Sequence, residues 1–558
     1  MFKDSINSSS ISKTLNIHAL LFILLAVFSM RFLPATEIGF DITYMGPFFE
    51  RYYNHNFLRN DLTTNVFAIP NPDFIYFYLI IALDYIFKTT WYESIMILKT
   101  FYYFCLPGMW YLGIYAIIKG RLDSEDKKAK AAIVIFIAVS ILVLKHVHFF
   151  FSISGWPPFY IQGSPQMAAT FLGLLGIITA RFIKSKDRYF SIVIFFLATL
   201  VHPGYGLFFI FFYCLSMFER ERIKELILTF LLGVIVPIGL LLLMFPSKSH
   251  LTTAEFIHYY RELGVVLFLP SEFCPFIPSV PWWVSFLSII GLMIIAMIIG
   301  FKRKNNYLKY MSIVYVSTYA GSVLLQYLFF ELYPIKLIIE LGPIRLSSFG
   351  YWMLVILYTI ILIEMFPLKL SIDTGLKRSY FVTFMLLSII LTIICAKVFK
   401  DNPNEQIRWE NPEFYSWVEK NTSDDSVFVT YSGTGLEWGL RIITNRTIFI
   451  DYDPPHVEDI IPEYVKRLLL VRGSLIEIKK IKGITAIQRM RTFYRQLKPE
   501  DFVKISQSYK IDYVIVEAAF MNNFAGIKPV FRDKTKAVFD VRDLQKRDIE
   551  TENLNKLL

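Results

Sequence analysis

The chain has 558 residues, of which 55% are hydrophobic, 17% aromatic and only 18% charged, with a net charge of +11. Soluble domains carry about 25% charged residues, so this composition excludes a chain built only of ordinary soluble domains. The basic balance does not point to nucleic acid, because Lys and Arg stand largely in short loops between apolar runs, where they control membrane topology.

In chain order, the first apolar run spans Leu15 to Leu33 without a cleavable-signal pattern, and reads as an anchor. A polar segment at 34–73 follows, then apolar runs at 74–87 and 94–118. Further runs at 131–151, 167–183, 226–246, 282–301, 307–329, 346–366 and 380–397 approach the ~20 residues that cross a ~30 Å hydrocarbon core as a helix. Two shorter runs, 189–201 and 204–218, are separated by His202-Pro203. Proline removes a donor and disfavours helix in the residue before it, so this pair is expected as two short helices meeting near one membrane surface.

Basic loops at 119–130 (Lys119, Arg121, Lys127, Lys128, Lys130), 181–188, 219–225, 302–304 and 369–378 alternate with less basic loops at 152–166, 246–281 and 330–345. The positive-inside rule assigns the first set to the cytoplasm and the second to the outside. With residue 1 cytoplasmic, the loop 34–73 is external, and everything after 397 is external too. An odd number of crossings must then fall between 74 and 118. Either 74–87 does not cross, or the second run breaks at Pro107-Gly108, so 11 or 13 spans are expected. The fold class is thus a polytopic α-helical membrane protein with a small extracytoplasmic α/β domain, divided into 1–397 and 398–558. From 398 onward charge becomes dense and apolar runs shorten to strand length at Val427–Thr430, Thr447–Asp451, Tyr513–Glu517 and Ala537–Val541, with helical stretches at 413–420, 458–470 and 499–509.

The first external loop carries Glu37, Asp41, Glu50 and Asp61 close to the membrane surface, and the stretch from Tyr44 to Phe57 suits an interfacial helix. Carboxylates at a lipid–water boundary can deprotonate an acceptor, or hold a metal, beside a lipid-linked substrate. The structural alternative is a solvated loop whose acids cap helices or pair with Arg51 and Arg59. His202, at a helix break on the external side, is a candidate cavity-lining group. Arg345 either snorkels to headgroups from a helix end or offers its planar fork to phosphate oxygens.

Other motifs read as structural. Asp451-Tyr-Asp453 has the DxD form of metal-holding transferases, but strand-end acids that turn the chain and pair with Arg441 or Arg446 are the expectation. His146 and His148 point apart on a helix. Cys105, Cys214, Cys274 and Cys395 lack CxxC spacing and read as small hydrophobes. Asn421-Thr-Ser and Asn445-Arg-Thr fit the glycosylation sequon without deciding the source.

One long N-terminal helix, an acid-bearing first external loop, about a dozen further helices and an external C-terminal domain resemble the GT-C superfamily of glycosyltransferases. Gly39-Phe-Asp41, Arg59-Asn-Asp61, His202-Pro203-Gly204, Gly342-Pro-Ile-Arg345, Trp417-Val-Glu-Lys-Asn-Thr, Asn445-Arg-Thr-Ile-Phe-Ile-Asp451 and Ile511-Asp-Tyr-Val-Ile-Val-Glu517 carry the resemblance. It implies sugar transfer from a polyprenyl-phosphate-linked donor in the membrane lipid to an extracytoplasmic glycan, lipid or protein. Asp41 would be the reacting acid, supported by Asp61 and Glu37, with Arg345 on the donor phosphate and His202 lining the cavity. No cofactor or metal is required by this scheme, although an acidic loop suits a divalent ion, and no nucleic acid is expected. The implied location is a bacterial plasma membrane. The Trp-Trp-Asp-Tyr-Gly motif of oligosaccharyltransferase subunits is absent, and Asp41 has no adjacent acid. The alternatives are a non-catalytic GT-C-derived scaffold in cell-envelope polysaccharide assembly, or a lipid or solute transporter.

Overall fold

The computed structural model describes residues 17–29, 40–58, 61–66, 74–145, 165–182, 189–218, 222–244, 251–263, 282–336, 338, 342–365, 385–392, 411–431, 436–450, 460–474 and 486–547. The protein is mostly helical, with a small mixed sheet near its C-terminus. Its first helices are α1 (Ile17–Ser29), α2 (Phe40–Tyr53), α3 (Leu62–Val66), α4 (Phe74–Phe87), α5 (Trp91–Lys119) and α6 (Glu125–Lys145).

Two helices, Trp91–Lys119 and Ile223–Met244, are long and apolar enough to cross a membrane by length and composition. They differ in surroundings. α5 is almost wholly buried among its neighbours, whereas Ile223–Met244 exposes Ile227, Leu231, Ile235, Leu242 and Leu243.

α5 starts at a reciprocal cap, in which Glu93 N–H donates to Thr90 Oγ1 at 3.2 Å and Thr90 N–H donates to Glu93 Oε2 at 2.8 Å. It then runs 29 residues without a break, with Pro107 inside. The break allowed at Pro107-Gly108 is therefore not made. Pro107 removes one backbone donor, but close packing on all sides keeps the helix whole. α4 has 14 residues and so rises only roughly 21 Å, short of a ~30 Å hydrocarbon core.

The helix Ile223–Met244 contains a wider turn at Leu231–Ile235. Pro237 cannot donate to the carbonyl four residues back, and that carbonyl, Gly233 O, instead accepts the Thr199 hydroxyl at 2.6 Å. The two short helices expected around His202-Pro203 are present as Tyr189–Val201 and Pro203–Ser216, with His202 as the N-cap of the second. At the bundle centre Trp110 and Trp352 stack at 4.0 Å and 8°, and Phe349 packs on Trp110, Phe209 and Phe212.

The bundle has two unlike ends. At one, Lys119 lies over the Phe182 ring at 4.7 Å, Arg121 over Tyr307 at 4.6 Å, Phe218 stacks on Tyr310, and Arg303 pairs with Glu364 at 3.3 Å. These contacts gather the basic loops. At the other end α2 packs on Trp91, Lys336 lies over Phe256 at 5.3 Å, and the helix Thr253–Leu263 touches the C-terminal helix Ile461–Arg472.

The C-terminal sheet comprises β1 (Val427–Val429), β2 (Thr447–Ile448), β3 (Tyr513–Glu517), β4 (Phe531–Arg532) and β5 (Lys536–Asp540) in the order β2-β1-β3-β5-β4. β1 runs parallel to β2 and β3, while β5 is antiparallel to β3 and β4. β1 and β5 are buried throughout, as interior strands of a covered sheet must be. Sequence reading missed β4 and the helices Leu436–Ile442 and Ala486–Gln496. The β4–β5 turn is set by Asp533, whose Oδ1 accepts the N–H groups of Thr535 at 2.6 Å and Lys536 at 2.9 Å.

Candidate functional site

Asp41 stands in the first turn of α2. Further along, Phe49 stacks on Trp91 at 5.3 Å and 11°, and Trp91 Nε1 donates to Glu50 Oε1 at 3.0 Å. Phe48 and Phe49 both meet Phe77 of α4. Trp91 begins a helix roughly 43 Å long whose other end is Lys119, so the helix bearing Asp41 sits at the end of the bundle opposite the basic loops. Glu37 lies outside the described residues, as do Asp451, Asp453, His146, His148, Cys274 and Cys395.

Asp61 is completely buried and committed to structure. Its Oδ1 accepts Thr64 N–H at 2.8 Å, capping α3, and its Oδ2 accepts Arg441 Nε at 2.8 Å and Ile448 N–H at 3.2 Å. The capping role matches the structural alternative for the loop acids, and the cation found on Asp61 is Arg441, which sequence reading assigns to strand-end acids. Arg51 donates to the Phe57 carbonyl at 2.6 Å, and Arg59 lies outside the described residues. Arg441 and Arg446, expected to pair with strand-end acids, are found on Asp61 and Asp424, respectively.

The backbone of Arg345 lies in a 3-10 turn, Pro343–Phe349, entered through Gly342 at φ 59, a left-handed conformation that suits glycine. From Met365 at the basic end, the 16-residue helix back to Gly350 rises roughly 24 Å. The 3-10 turn adds about 10 Å to reach Arg345. Phe349 packs on Trp110, about 28 Å along α5 from Trp91, so the turn leads from mid-bundle toward the end that carries α2. His202 lies 13 residues beyond the start of the helix that precedes it, about 20 Å along it. Its Nδ1 accepts Tyr205 N–H at 3.2 Å and its ring meets Tyr205 edge-on. An accepting Nδ1 leaves the proton of the neutral ring on Nε2.

The two roles open to His202 separate by substitution. His202→Ala should cost about 0.5–2 kcal/mol through the lost cap. His202→Asn keeps an acceptor at that position and should hold thermal stability near wild type. A loss of function confined to the imidazole would then appear in His202→Asn without a drop in Tm.

Asp84 was not singled out from the sequence, although a lone acid in the apolar run 74–87 was a visible signal. It is buried, and the Tyr53 hydroxyl donates to its Oδ2 at 2.7 Å. Burial pushes the Asp84 carboxyl above its ordinary value, with hydrogen bonds from Ser94 and Tyr53 opposing and nearby Glu93 adding to the rise. A raised folded-state value means that this contribution is fully present below the unfolded value of ~3.9 and is lost as pH rises through the folded one. The α2–α4 contact should therefore loosen as pH rises above about 4 and through the raised folded-state value, and Asp84→Asn should flatten that dependence. Amide exchange of 48–53 and 76–87 across the range reads the difference.

Among the described residues no three His, Cys, Asp or Glu side chains converge as a metal-holding group would require. No protein-family model and no curated protein matches the sequence.

Proposed function

We propose that the chain is a GT-C-like, polytopic membrane glycosyltransferase that moves a sugar from a polyprenyl-phosphate-linked donor to an extracytoplasmic glycan, lipid or protein. One observation carries this reading: the helix bearing Asp41 and the turn bearing Arg345 both lie beyond the Trp110–Trp352 stack, toward the end of the bundle remote from the basic loops. Under the positive-inside rule that end is external. An acid and a phosphate-seeking cation on one membrane face are what transfer from a lipid phosphate requires.

In the reaction, Asp41 takes the proton of an acceptor hydroxyl as its oxygen bonds to the anomeric carbon. The bond from that carbon to the phosphate oxygen breaks, and the electron pair leaves with the polyprenyl phosphate. Arg345 neutralises the charge gathered on the leaving phosphate through charge-assisted hydrogen bonds. His202 lines the cavity from within the bundle. Apolar side chains exposed along Ile223–Met244 support lipid contact, because soluble surfaces rarely present such a contiguous patch. An unbroken α5 and a short α4 favour the eleven-span alternative over the thirteen-span one. A bacterial plasma membrane with the C-terminal domain outside is the location that fits.

A non-catalytic scaffold is the second reading, favoured by the commitment of Asp61 to an ion pair. Proteoliposomes loaded with radiolabelled polyprenyl-phosphate sugars decide between them. Transfer by the wild type that vanishes in Asp41→Asn supports the enzyme. Transfer by neither protein, from any donor, supports the scaffold.

A further inference from the structure

The first external segment is gripped from two sides. Trp91 holds Phe49 and Glu50 on the bundle side. On the other side, a methyl group at Gly46 would lie 3.2 Å from Ile442 as well as 3.2 Å from Trp91. The middle of α2 is thus wedged between the bundle and the C-terminal helix Leu436–Ile442. Arg441, next to Ile442, reaches Asp61 in the same joint, with the two side chains only 6% and 0% exposed. Through Thr64, Arg441 and Ile448, one carboxylate ties together α3, the helix Leu436–Ile442 and β2.

We propose that Asp61 and Arg441 are a positioning pair that fastens the acid-bearing loop to the C-terminal domain, so that the turn of α2 carrying Asp41 keeps one place against the bundle. This rests on the reading of Asp41 as the reacting acid. The physical ground is the cost of a lone buried charge. A carboxylate or guanidinium out of water is strongly unfavourable alone and tolerated when paired, so the joint closes only with both partners in it. α2 needs that support because Pro47 lies inside it and offers no N–H to the Thr43 carbonyl. The C-terminal domain is then part of the site's frame, and Asp61 acts through Asp41's placement without touching the reacting atoms.

The test uses the full chain in lipid nanodiscs, comparing wild type, Asp61→Asn, Arg441→Met and the double variant. Amide exchange is followed over 40–66 and 441–448. Each single variant removes one charge of the buried pair and keeps the other, and exchange in both segments should rise about tenfold or more. The double variant buries no charge, and Asn at 61 still offers Oδ1 to Thr64, so most protection should return. Sugar transfer should follow the same pattern, with kcat falling in the singles and recovering to within about threefold in the double. Wild-type exchange in the single variants would overturn the proposal. So would restored protection with transfer as low as in Asp61→Asn, since Asp61 would then act in the chemistry. If the wild type transfers no sugar, the enzyme reading fails by itself, and the exchange arm still decides whether the pair fastens the loop.

Discussion

Asp41→Asn is expected to lower sugar transfer by roughly 10²–10⁴-fold, the range that a positioned general base contributes. The substitution is nearly isosteric, so the fold should survive. Asp41 occupies the first turn of α2, where losing a negative charge at a helix N-terminus costs about 0.3–1 kcal/mol. That is well within the stability of a large helical bundle and much less than the kinetic effect. The loss should therefore appear in kcat, with KM for the lipid donor little changed, because Arg345 rather than Asp41 would hold the phosphate. Asp41→Glu keeps the carboxylate but moves it by one methylene, and should recover part of the rate. A rise in KM with kcat unchanged would instead point to a ground-state binding role. Measuring both constants in proteoliposomes, beside a Tm in detergent, separates these outcomes.

Much of the bundle was legible because apolar runs and their breakers act locally. His202-Pro203 ends one helix and starts the next, since proline's missing donor costs nothing at a helix N-terminus. The same residue type left two alternatives open at Pro107, where α5 continues. A proline inside a tightly packed helix loses one hydrogen bond, and contacts distant in sequence decide whether the helix breaks. The C-terminal domain shows the same divide. β3 matched its expected bounds, whereas the two-residue β4 is made by its pairing with β5 and carries no hydropathy signal of its own. At the site, Asp61 could be recognised as a loop acid, and capping was among its expected roles. Its partner could not be named, because Arg441 lies 380 residues away and no local pattern marks the two as neighbours. Trp91 was hidden in the same way. An indole at a helix start reads as an interfacial anchor, and only the folded chain shows its ring flat on Phe49.

The helices around Trp352 set the second large effect. Its indole stacks on Trp110 at 4.0 Å and 8°, and both rings are fully buried. Trp352→Ala should cost about 3–5 kcal/mol, since a large aromatic leaves a cavity that its neighbours fill only in part. A further 0.5–1.5 kcal/mol or so belongs to the ring–ring geometry itself. If the bundle lies in lipid, the transfer part of this loss shrinks, because acyl chains are as apolar as the interior. The packing part stays, which argues for the lower end of the range. Trp352→Phe keeps a ring in place and should lose much less. Function should suffer beyond stability, because Phe349 packs on Trp110 and closes the 3-10 turn that contains Arg345. With that floor loosened, the donor should bind more weakly, raising KM before kcat falls. Chemical denaturation in mixed micelles measures the first effect, and donor titration in proteoliposomes the second. A Trp352→Ala protein with an unchanged midpoint would show that the indole pair contributes little to holding the bundle. An unchanged donor KM in a destabilised variant would instead separate the aromatic core from the phosphate-binding turn.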